Sequence, residues 1–487
     1  MSLTPEFTTF EKEYKSGRNQ VVYSKLTSDL DTPVSIMLKL AGAKKNSFIL
    51  ESVTGGEIRG RYSIIGMDPD LIWKFEEEQS FLSSGDSVFK PISGQPLSVF
   101  RDLLQQSVIN LPKELPQSSA GLFGYFGYDM VRHVENLPNL NKDTIGLPDA
   151  MFIRPSIIAV LDGVKGEVIL VAPVFYEPKV DEKEAFKKAK EKISSAIREL
   201  KKQAIAERNL GAPGEMEEPT SNFTKEEYKA AVNIAKNYIN NGDIFQVVLS
   251  QRFETKLTKS PIEIYKKLRI SNPSPFMYFF NFSDFQIIGA SPEILVRLRN
   301  NKITIRPIAG TRPRGDNLKK DKFYEKDLLA DKKELAEHLM LLDLGRNDAG
   351  KVSKINSVKV TESFKIEKYS HVMHIVSNVE GVFNNKYSKF DTLLSGFPAG
   401  TVSGAPKIRA MEIIDELETT RRKVYAGGIG YFSANGDFDT CIALRTAIAK
   451  NNKFYVQSGA GIVADSKPLN EYFETVNKAK ALLKSLE

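Results

Sequence analysis

Residues 426 to 446 read Ala-Gly-Gly-Ile-Gly-Tyr-Phe-Ser-Ala-Asn-Gly-Asp-Phe-Asp-Thr-Cys-Ile-Ala-Leu-Arg-Thr, and Gly459-Ala460-Gly461 follows shortly after. Asn435-Gly436 signals a two-residue hairpin, so the segments beside it are expected to be antiparallel strands, with Arg445 on a strand rather than in a loop. A second turn at Asn451-Asn452 brings in a strand over Phe454–Ser458, which delivers the Gly-Ala-Gly. Without bulky side chains, a ligand can approach backbone N–H groups there. A rigid cationic donor beside an open amide cradle suits a small carboxylate.

The whole chain sets the limits for this motif. Its 487 residues, 41% of them hydrophobic, suffice for one very large domain or two interleaved ones. Cys441 is the single cysteine, which excludes an intrachain disulfide and a cysteine-rich zinc site and fits a reducing compartment. There is no apolar opening run after a basic start and no apolar stretch of membrane-spanning length, so a soluble, cytoplasmic protein is expected. The net charge of +7 comes from 68 basic and 61 acidic side chains that are interspersed, without a basic stripe carrying aromatics. A solvated surface that mildly attracts anions is expected, and no nucleic-acid role.

Along the chain, residues 1–208 form a first region. Ile157–Leu161 and Val168–Val171 flank a Gly-containing turn and are apolar enough to be buried on both faces. Phe186, Ala189, Ile193, Ile197, Leu200 and Ala204 then recur at helical spacing. Residues 209–222 have linker composition, with two Gly and two Pro, and are either a domain boundary or a surface excursion between interdigitating sheets. Thr224 and Glu227 form a capping box that opens the second region, 223–487. There, helices alternate with antiparallel hairpins, such as Leu295–Leu298 with Ile303–Arg306 across Asn300-Asn301. The fold class is therefore α+β, with large antiparallel sheets.

Several residues outside the opening motif have chemical potential. Glu334 and Glu337 share one helix face, as do Glu471, Glu474 and Lys478 on another. Taken singly such pairs are ordinary solvated acids; together, with no His or Cys partner, they suit a hard cation such as Mg²⁺. Of the four histidines, His133, His338, His371 and His374, the last two lie in Tyr369-Ser-His-Val-Met-His374 before an apolar run, where the residues alone favour a buried, satisfied core histidine, and His371 is read as structural. Glu293 follows Gly289-Ala-Ser-Pro at the entrance of a strand. Ile308-Ala-Gly310-Thr311 sits among Arg306, Arg312 and Arg314. Phe397-Pro-Ala-Gly-Thr401-Val-Ser-Gly-Ala-Pro406 is a Gly/Ser-rich turn with Pro406 in a first helical turn, so free N–H groups face any anion. It lacks the spacing of a nucleotide-binding loop.

These motifs, with Asp343-Leu-Gly-Arg-Asn-Asp348 and Tyr425–Thr446, cover nearly all of residues 240 to 480 and resemble the chorismate-utilising enzymes, in particular the large subunit of anthranilate synthase. The resemblance implies a sandwich of antiparallel sheets wrapped by helices. It implies that Glu337 and Glu474 bind Mg²⁺, with Glu334 and Glu471 acting through water. His374 would sit against the reacting ring, and Glu293 would protonate the departing C4 hydroxyl, a role that needs a raised pKa; Thr401 belongs to the same catalytic set. Gly310, Thr311, Tyr425, Arg445, Gly459, Ala460, Gly461 and Lys478 would contact chorismate.

Two positions separate members of that family. Enzymes that add water carry a lysine base where this chain has Gln246, which favours amination. Aminodeoxychorismate synthases carry a nucleophilic lysine where this chain has Ala309. Direct attack of ammonia at C2 followed by loss of pyruvate is then expected, giving anthranilate; the alternative is an aminodeoxychorismate synthase component that works without that lysine. A catalytically silent binder of chorismate or tryptophan is a third reading, disfavoured by the intact acids, His374, Thr401 and Arg445. Phe48-Ile-Leu-Glu51-Ser52 and Asn272-Pro-Ser-Pro275-Phe276-Met277 resemble the family's tryptophan site, so Glu51, Ser52 and Pro275 to Met277 would bind tryptophan as feedback inhibitor, although Ser52 also reads as a strand-end cap. No glutaminase signature is present, so ammonia would come from solution or from a separate glutamine amidotransferase subunit in a heterodimer or heterotetramer.

Overall fold

The computed structural model describes residues 2–42, 44–52, 60–85, 88–203, 217–369 and 372–487. Two long strands, Tyr62–Glu76 and Ala150–Asp162, organise it. They pair antiparallel along their whole length except for a register slip between Pro69 and Leu71, where Asp68 adopts φ 49° and Arg154 bridges to Asp70 at 2.7 Å. The slip bends both strands, so each half joins a different sheet, as bulged corner strands do.

The first sheet runs Gln20–Thr27, Glu167–Val174, the outer halves of the two long strands, Ser47–Glu51, Phe276–Asn281, Phe285–Ser291, Thr446–Lys450, Lys453–Ile462 and Gln246–Lys256. The second runs Lys90–Ile92, Gln79–Ser83, the other halves, Gly121–Phe126, Gly428–Ser433, Phe438–Ile442, Ile294–Arg299, Lys302–Ile305 and Val372–Val382, with Ile308–Pro313 and Lys359–Lys368 on the last strand.

The sheets stack on a shared core in which Phe48, Tyr278 and Phe280 of one meet Phe123, Tyr125 and Ile429 of the other; the Phe48 and Phe123 rings stack at 4.5 Å. Helices Phe7–Lys15, Pro33–Leu40, Glu182–Leu200, Pro261–Ser271 and Pro468–Leu483 cover the outer face of the first sheet. Helices Pro96–Gln106, Lys332–Val352 and Lys389–Ser395 cover that of the second. The result is the α+β, helix-wrapped sandwich of antiparallel sheets that the sequence predicts. Among the described residues no helix is long and apolar enough to cross a membrane.

Both sheets draw strands from 1–208 and from 223–487: Ser47–Glu51 pairs with Phe276–Asn281, and Gly121–Phe126 with Gly428–Ser433. The capping box at Thr224 and Glu227 forms as expected. Of the linker-like stretch, 217–222 are described, and Thr220–Ser221 adds a short strand to Gln246–Lys256; 209–216 lie outside the described residues.

Local expectations need four corrections. Asn435-Gly436 sits in a longer connection, with Phe432 opposite Phe438, because only Gly436 takes positive φ while the Asn435 side chain accepts the Asp437 N–H at 2.9 Å. Asn451 and Asn452 do form the tight turn, both at positive φ. The last strand extends to Ile462, so Gly459–Gly461 lies within it. Arg445 lies between strands, at φ 47°, because the chain there leaves the second sheet for the first. Pro406 caps the helix Lys407–Leu417 rather than opening its first turn.

Candidate active site

Two neighbouring chain segments cross between the sheets side by side. One passes from Phe285–Ser291 to Ile294–Arg299 through Pro292-Glu293; the other passes from Phe438–Ile442 to Thr446–Lys450 through Arg445. They are tied together. Ile442 N–H donates to the Glu293 carbonyl at 3.0 Å, Ser291 Oγ donates to the Ile442 carbonyl at 2.6 Å, and Ala290 N–H donates to the Arg445 carbonyl at 3.1 Å. A non-glycine residue in the left-handed region is uncommon and costs backbone energy. Here it keeps the Arg445 side chain at the crossing. Among the described residues its guanidinium has no ion-pair partner, although burial disfavours its charge, so an anion would complete it.

Glu293 is 6% exposed. Burial pushes its carboxyl up to about 8, with the Thr401 hydroxyl and Ile308 N–H pulling it partly back. It is therefore neutral and able to donate a proton at pH 7. Thr401, in the turn Gly400–Val402, lies beside it with a buried hydroxyl that has no well-aligned hydrogen bond among the described residues.

His374 lies on Val372–Val382 opposite Thr311, where a register slip between Ala309 and Thr311 turns Gly310 to φ 69°. Its Nδ1 is 3.1 Å from the Gly310 carbonyl and from Thr311 Oγ1. A carbonyl only accepts, so Nδ1 carries the hydrogen and Nε2 keeps its lone pair. Burial, then the Arg445 and Lys478 charges, depress its pKa to about 4 against the pull of the Gly310 bond. Gly310, Thr311, His374 and Arg445 thus share one wall. Tyr369 closes it, its ring 5.6 Å from that of His374. His371 lies outside the described residues.

The glycine strand forms the opposite wall. Val248 N–H and Ser250 N–H point away from it, to the Ser403 carbonyl and the Glu418 carboxylate. By alternation, Leu249 exchanges hydrogen bonds with its partner Ala460, and Gly459 and Gly461 turn their N–H groups to the other edge. The cradle therefore offers two amides, with the Ala460 amide spent in the ladder. Thr446–Lys450 covers that edge only as far as Val456. A Cβ on Gly459 would lie 2.7 Å from the Tyr425 hydroxyl, and one on Gly461 would lie 2.7 Å from Gln246 Nε2 and 3.8 Å from Glu337 Oε1. The absent side chains are what let these groups converge.

Gln246 Nε2 donates to Glu337 at 2.8 Å, and among the described residues the buried Gln246 Oε1 has no hydrogen-bond partner. Lys478 Nζ donates to the Gly459 carbonyl at 2.9 Å and pairs with Glu474 at 2.7 Å. Glu337 and Glu474 thus flank the same strand end from two helices. Burial, followed by the Glu337 charge, raises the pKa of Glu334; burial raises that of Glu471, with Glu474 adding to it. Glu334 lies 3.4 Å from Arg312 and would be 3.2 Å from a Gly310 Cβ. Among the described residues no three His, Cys, Asp or Glu gather into a metal-holding group.

Of the residues expected at the second site, Met277 pairs with Glu51. The Glu51 carboxylate is turned into the fold, accepting Tyr265 Oη and Arg269 Nε at 2.6 Å each. Phe276 and Met277 pair in turn with Ser291 and Ala290, two strands from Glu51 and next to Glu293.

The profile of the chorismate binding enzyme family matches residues 45–484. The chain belongs to the chorismate-binding enzymes. Within that family it is 57% identical to the anthranilate synthase component 1 of Cereibacter sphaeroides over 99% of this chain and 97% of that one. The Pseudomonas aeruginosa protein of the same name is 46% identical, covering 96% of each. The anthranilate synthase component I of Streptococcus pneumoniae superposes with TM-score 0.79 at 40% identity, over 89% of this chain and 94% of that one. The menaquinone-specific isochorismate synthase of Escherichia coli, at 17% identity and TM-score 0.72, shares the fold over 99% of both chains.

As a chorismate-binding enzyme, the chain has one feature its sequence conceals. Glu418 and Arg422 stand four apart, the spacing of an ordinary solvated helix pair, yet they form a buried ion pair against the site.

Proposed function

We infer that this chain is the chorismate-binding subunit of an anthranilate synthase, converting chorismate and ammonia to anthranilate and pyruvate as the first step of tryptophan biosynthesis. A neutral carboxylic acid, Glu293, at the sheet crossing with Arg445, and a neutral imidazole, His374, that feels the Arg445 charge and keeps the lone pair of its Nε2, carry this inference. Two groups whose pKa values are pushed apart in this way divide acid and base roles at one pH.

Arg445, Lys478 and the Gly459 and Gly461 N–H groups hold the carboxylates of chorismate. Ammonia attacks C2, the ring double bonds shift, and the C4–O bond breaks as Glu293 gives its proton to the leaving hydroxyl. The C2 ammonium returns a proton to Glu293, His374 Nε2 takes the C2 proton as the C3–O bond breaks to leave the aromatic ring, and the departing enolate takes that proton at its methylene carbon to become pyruvate. Gln246 supplies no base for water, and Ala309 cannot form a covalent adduct, which supports direct amination over the aminodeoxychorismate route.

Glu337 and Glu474 would hold Mg²⁺, with Glu334 and Glu471 acting through water. Two carboxylates fit an ion that keeps waters and completes its shell with substrate oxygen; bound there, it would neutralise them and seat a substrate carboxylate. Ammonia is supplied by a separate glutamine amidotransferase subunit, in a cytoplasmic heteromer. Tryptophan inhibits by binding between Ser52 and Pro275 to Met277.

Purified protein given chorismate, Mg²⁺ and ammonium should produce blue-fluorescent anthranilate with no added lyase. Accumulation of aminodeoxychorismate would refute the assignment.

A further inference from the structure

Glu418 ends the helix Lys407–Leu417, and Arg422 follows in the turn that leads to Tyr425. Their side chains are only 3% and 1% exposed. Arg422 donates to Glu418 Oε1 at 2.6 Å and Oε2 at 2.9 Å, to the Val402 carbonyl at 2.7 Å and to the Val248 carbonyl at 2.7 Å. Glu418 Oε1 also accepts Ser250 N–H and Ser250 Oγ, each at 2.8 Å. The guanidinium lies over the rings of Tyr128 and Tyr425, at 4.7 and 5.5 Å.

These contacts reach the Thr401 turn, the strand that pairs with Gly459 and Gly461, and Tyr425. Val402 follows Thr401, beside Glu293. Val248 is paired with Gly461, and Ser250 with Gly459, whose open Cα face meets the Tyr425 hydroxyl. A buried ion pair adds little stability over an apolar pair of the same volume, because desolvation offsets the attraction. A planar fork with donors on several edges does what no apolar side chain can: it sets distances and angles among segments far apart in the chain.

We propose that Arg422, held in plane by Glu418, is a positioning residue for the reaction: it aligns the Thr401 turn, the glycine strand and Tyr425, and so the acid Glu293 against the amides that hold the substrate. This rests on the assignment of anthranilate formation.

Arg422→Lys keeps the charge but offers three hydrogens on one nitrogen, too convergent to serve Glu418, Val402 and Val248 together. A displacement of 1 Å at a reacting centre costs about a hundredfold, so kcat for anthranilate from chorismate and ammonium should fall by about 30-fold or more. Through the glycine strand the KM for chorismate should rise by a few-fold at most, a smaller part of the loss than the fall in kcat, because Arg445 and Lys478 still hold the substrate. Circular dichroism and thermal unfolding give the folded fraction. If Arg422→Lys does not fold, the Glu418→Gln, Arg422→Met double variant, which leaves no unpaired buried charge, takes its place with the same split expected.

A kcat per folded molecule equal to that of the wild type, or a rise in KM that accounts for the whole loss of kcat/KM, overturns the proposal. If the wild-type chain consumes chorismate without making anthranilate, the reaction assignment fails instead, and the same kcat-against-KM split is then required of chorismate consumption.

Discussion

Glu293→Gln keeps the shape of the buried acid while removing its proton and its titration. In the wild type the carboxyl moves from an ordinary 4.5 to about 8 because it is buried at the sheet crossing. Its ionisation in the folded chain therefore costs roughly 5 kcal/mol more than in the unfolded chain. Between these two values the native state binds a proton that the unfolded state has lost, so stability falls as pH rises from about 4.5 to about 8. Glutamine has no such dependence. In denaturant titrations across that window, the stability of the variant relative to the wild type should improve with pH, by up to roughly 5 kcal/mol. In kinetics, losing a general acid should lower kcat by about 10² to 10⁴. With free ammonia held constant, wild-type kcat/KM for chorismate should decline above about 8, where Glu293 loses its proton; the residual rate of the variant should show no such limb. An alkaline limb of equal position in both proteins, or a stability difference that stays flat with pH, would refute the placement of a neutral acid at Glu293.

Gly459→Ala places a methyl 2.7 Å from the Tyr425 hydroxyl and 3.0 Å from the Leu249 carbonyl, which cannot yield, so the KM for chorismate should rise about tenfold or more; Gly461→Ala meets only the flexible Gln246 amide and should cost less, read from initial rates. Glu337→Ala and Glu474→Ala should each remove activity together with its Mg²⁺ dependence, measured by titrating the metal; activity surviving both changes would show the ion assignment to be wrong. Replacing Ser52 by Trp should abolish inhibition by micromolar tryptophan in the anthranilate assay, and unchanged inhibition would remove the pairing of Glu51 with Met277 as the inhibitor site. His374 should stay neutral down to about 4. Folded protein then binds fewer protons than unfolded protein between that value and 6.5, so its contribution to stability should grow as pH rises through that window, which acid titration of the His374→Asn variant against wild type would reveal.

Local periodicity and turn chemistry carried much of the fold. The Asn451-Asn452 turn, the Thr224 capping box and the two-faced apolar strands around Asp162-Gly163 depend on residues within a few positions of one another, and such signals survive in sequence. Arg445 shows where they stop. Its position between strands follows from a change of sheet, and a change of sheet is decided by which distant strand offers the next free edge. The same holds for Asn435-Gly436, where Asp437 and the Asn435 side chain select a longer turn than the dipeptide suggests.

Residue chemistry by itself, with the resemblance to chorismate-utilising enzymes, determined the class of reaction and the identity of most groups in the cleft: the acids, His374, Arg445 and the glycine strand. Tertiary structure decided which amides are free, because Ala460 is consumed by a pairing that only the neighbouring strand reveals. It also decided the protonation of Glu293 and His374, since desolvation depends on what packs around a group and not on its neighbours in sequence. The buried Glu418–Arg422 pair belongs wholly to that second kind: its spacing reads as solvent-facing, and only the strand Gln246–Lys256, the Thr401 turn and two tyrosine rings closing around it take the water away.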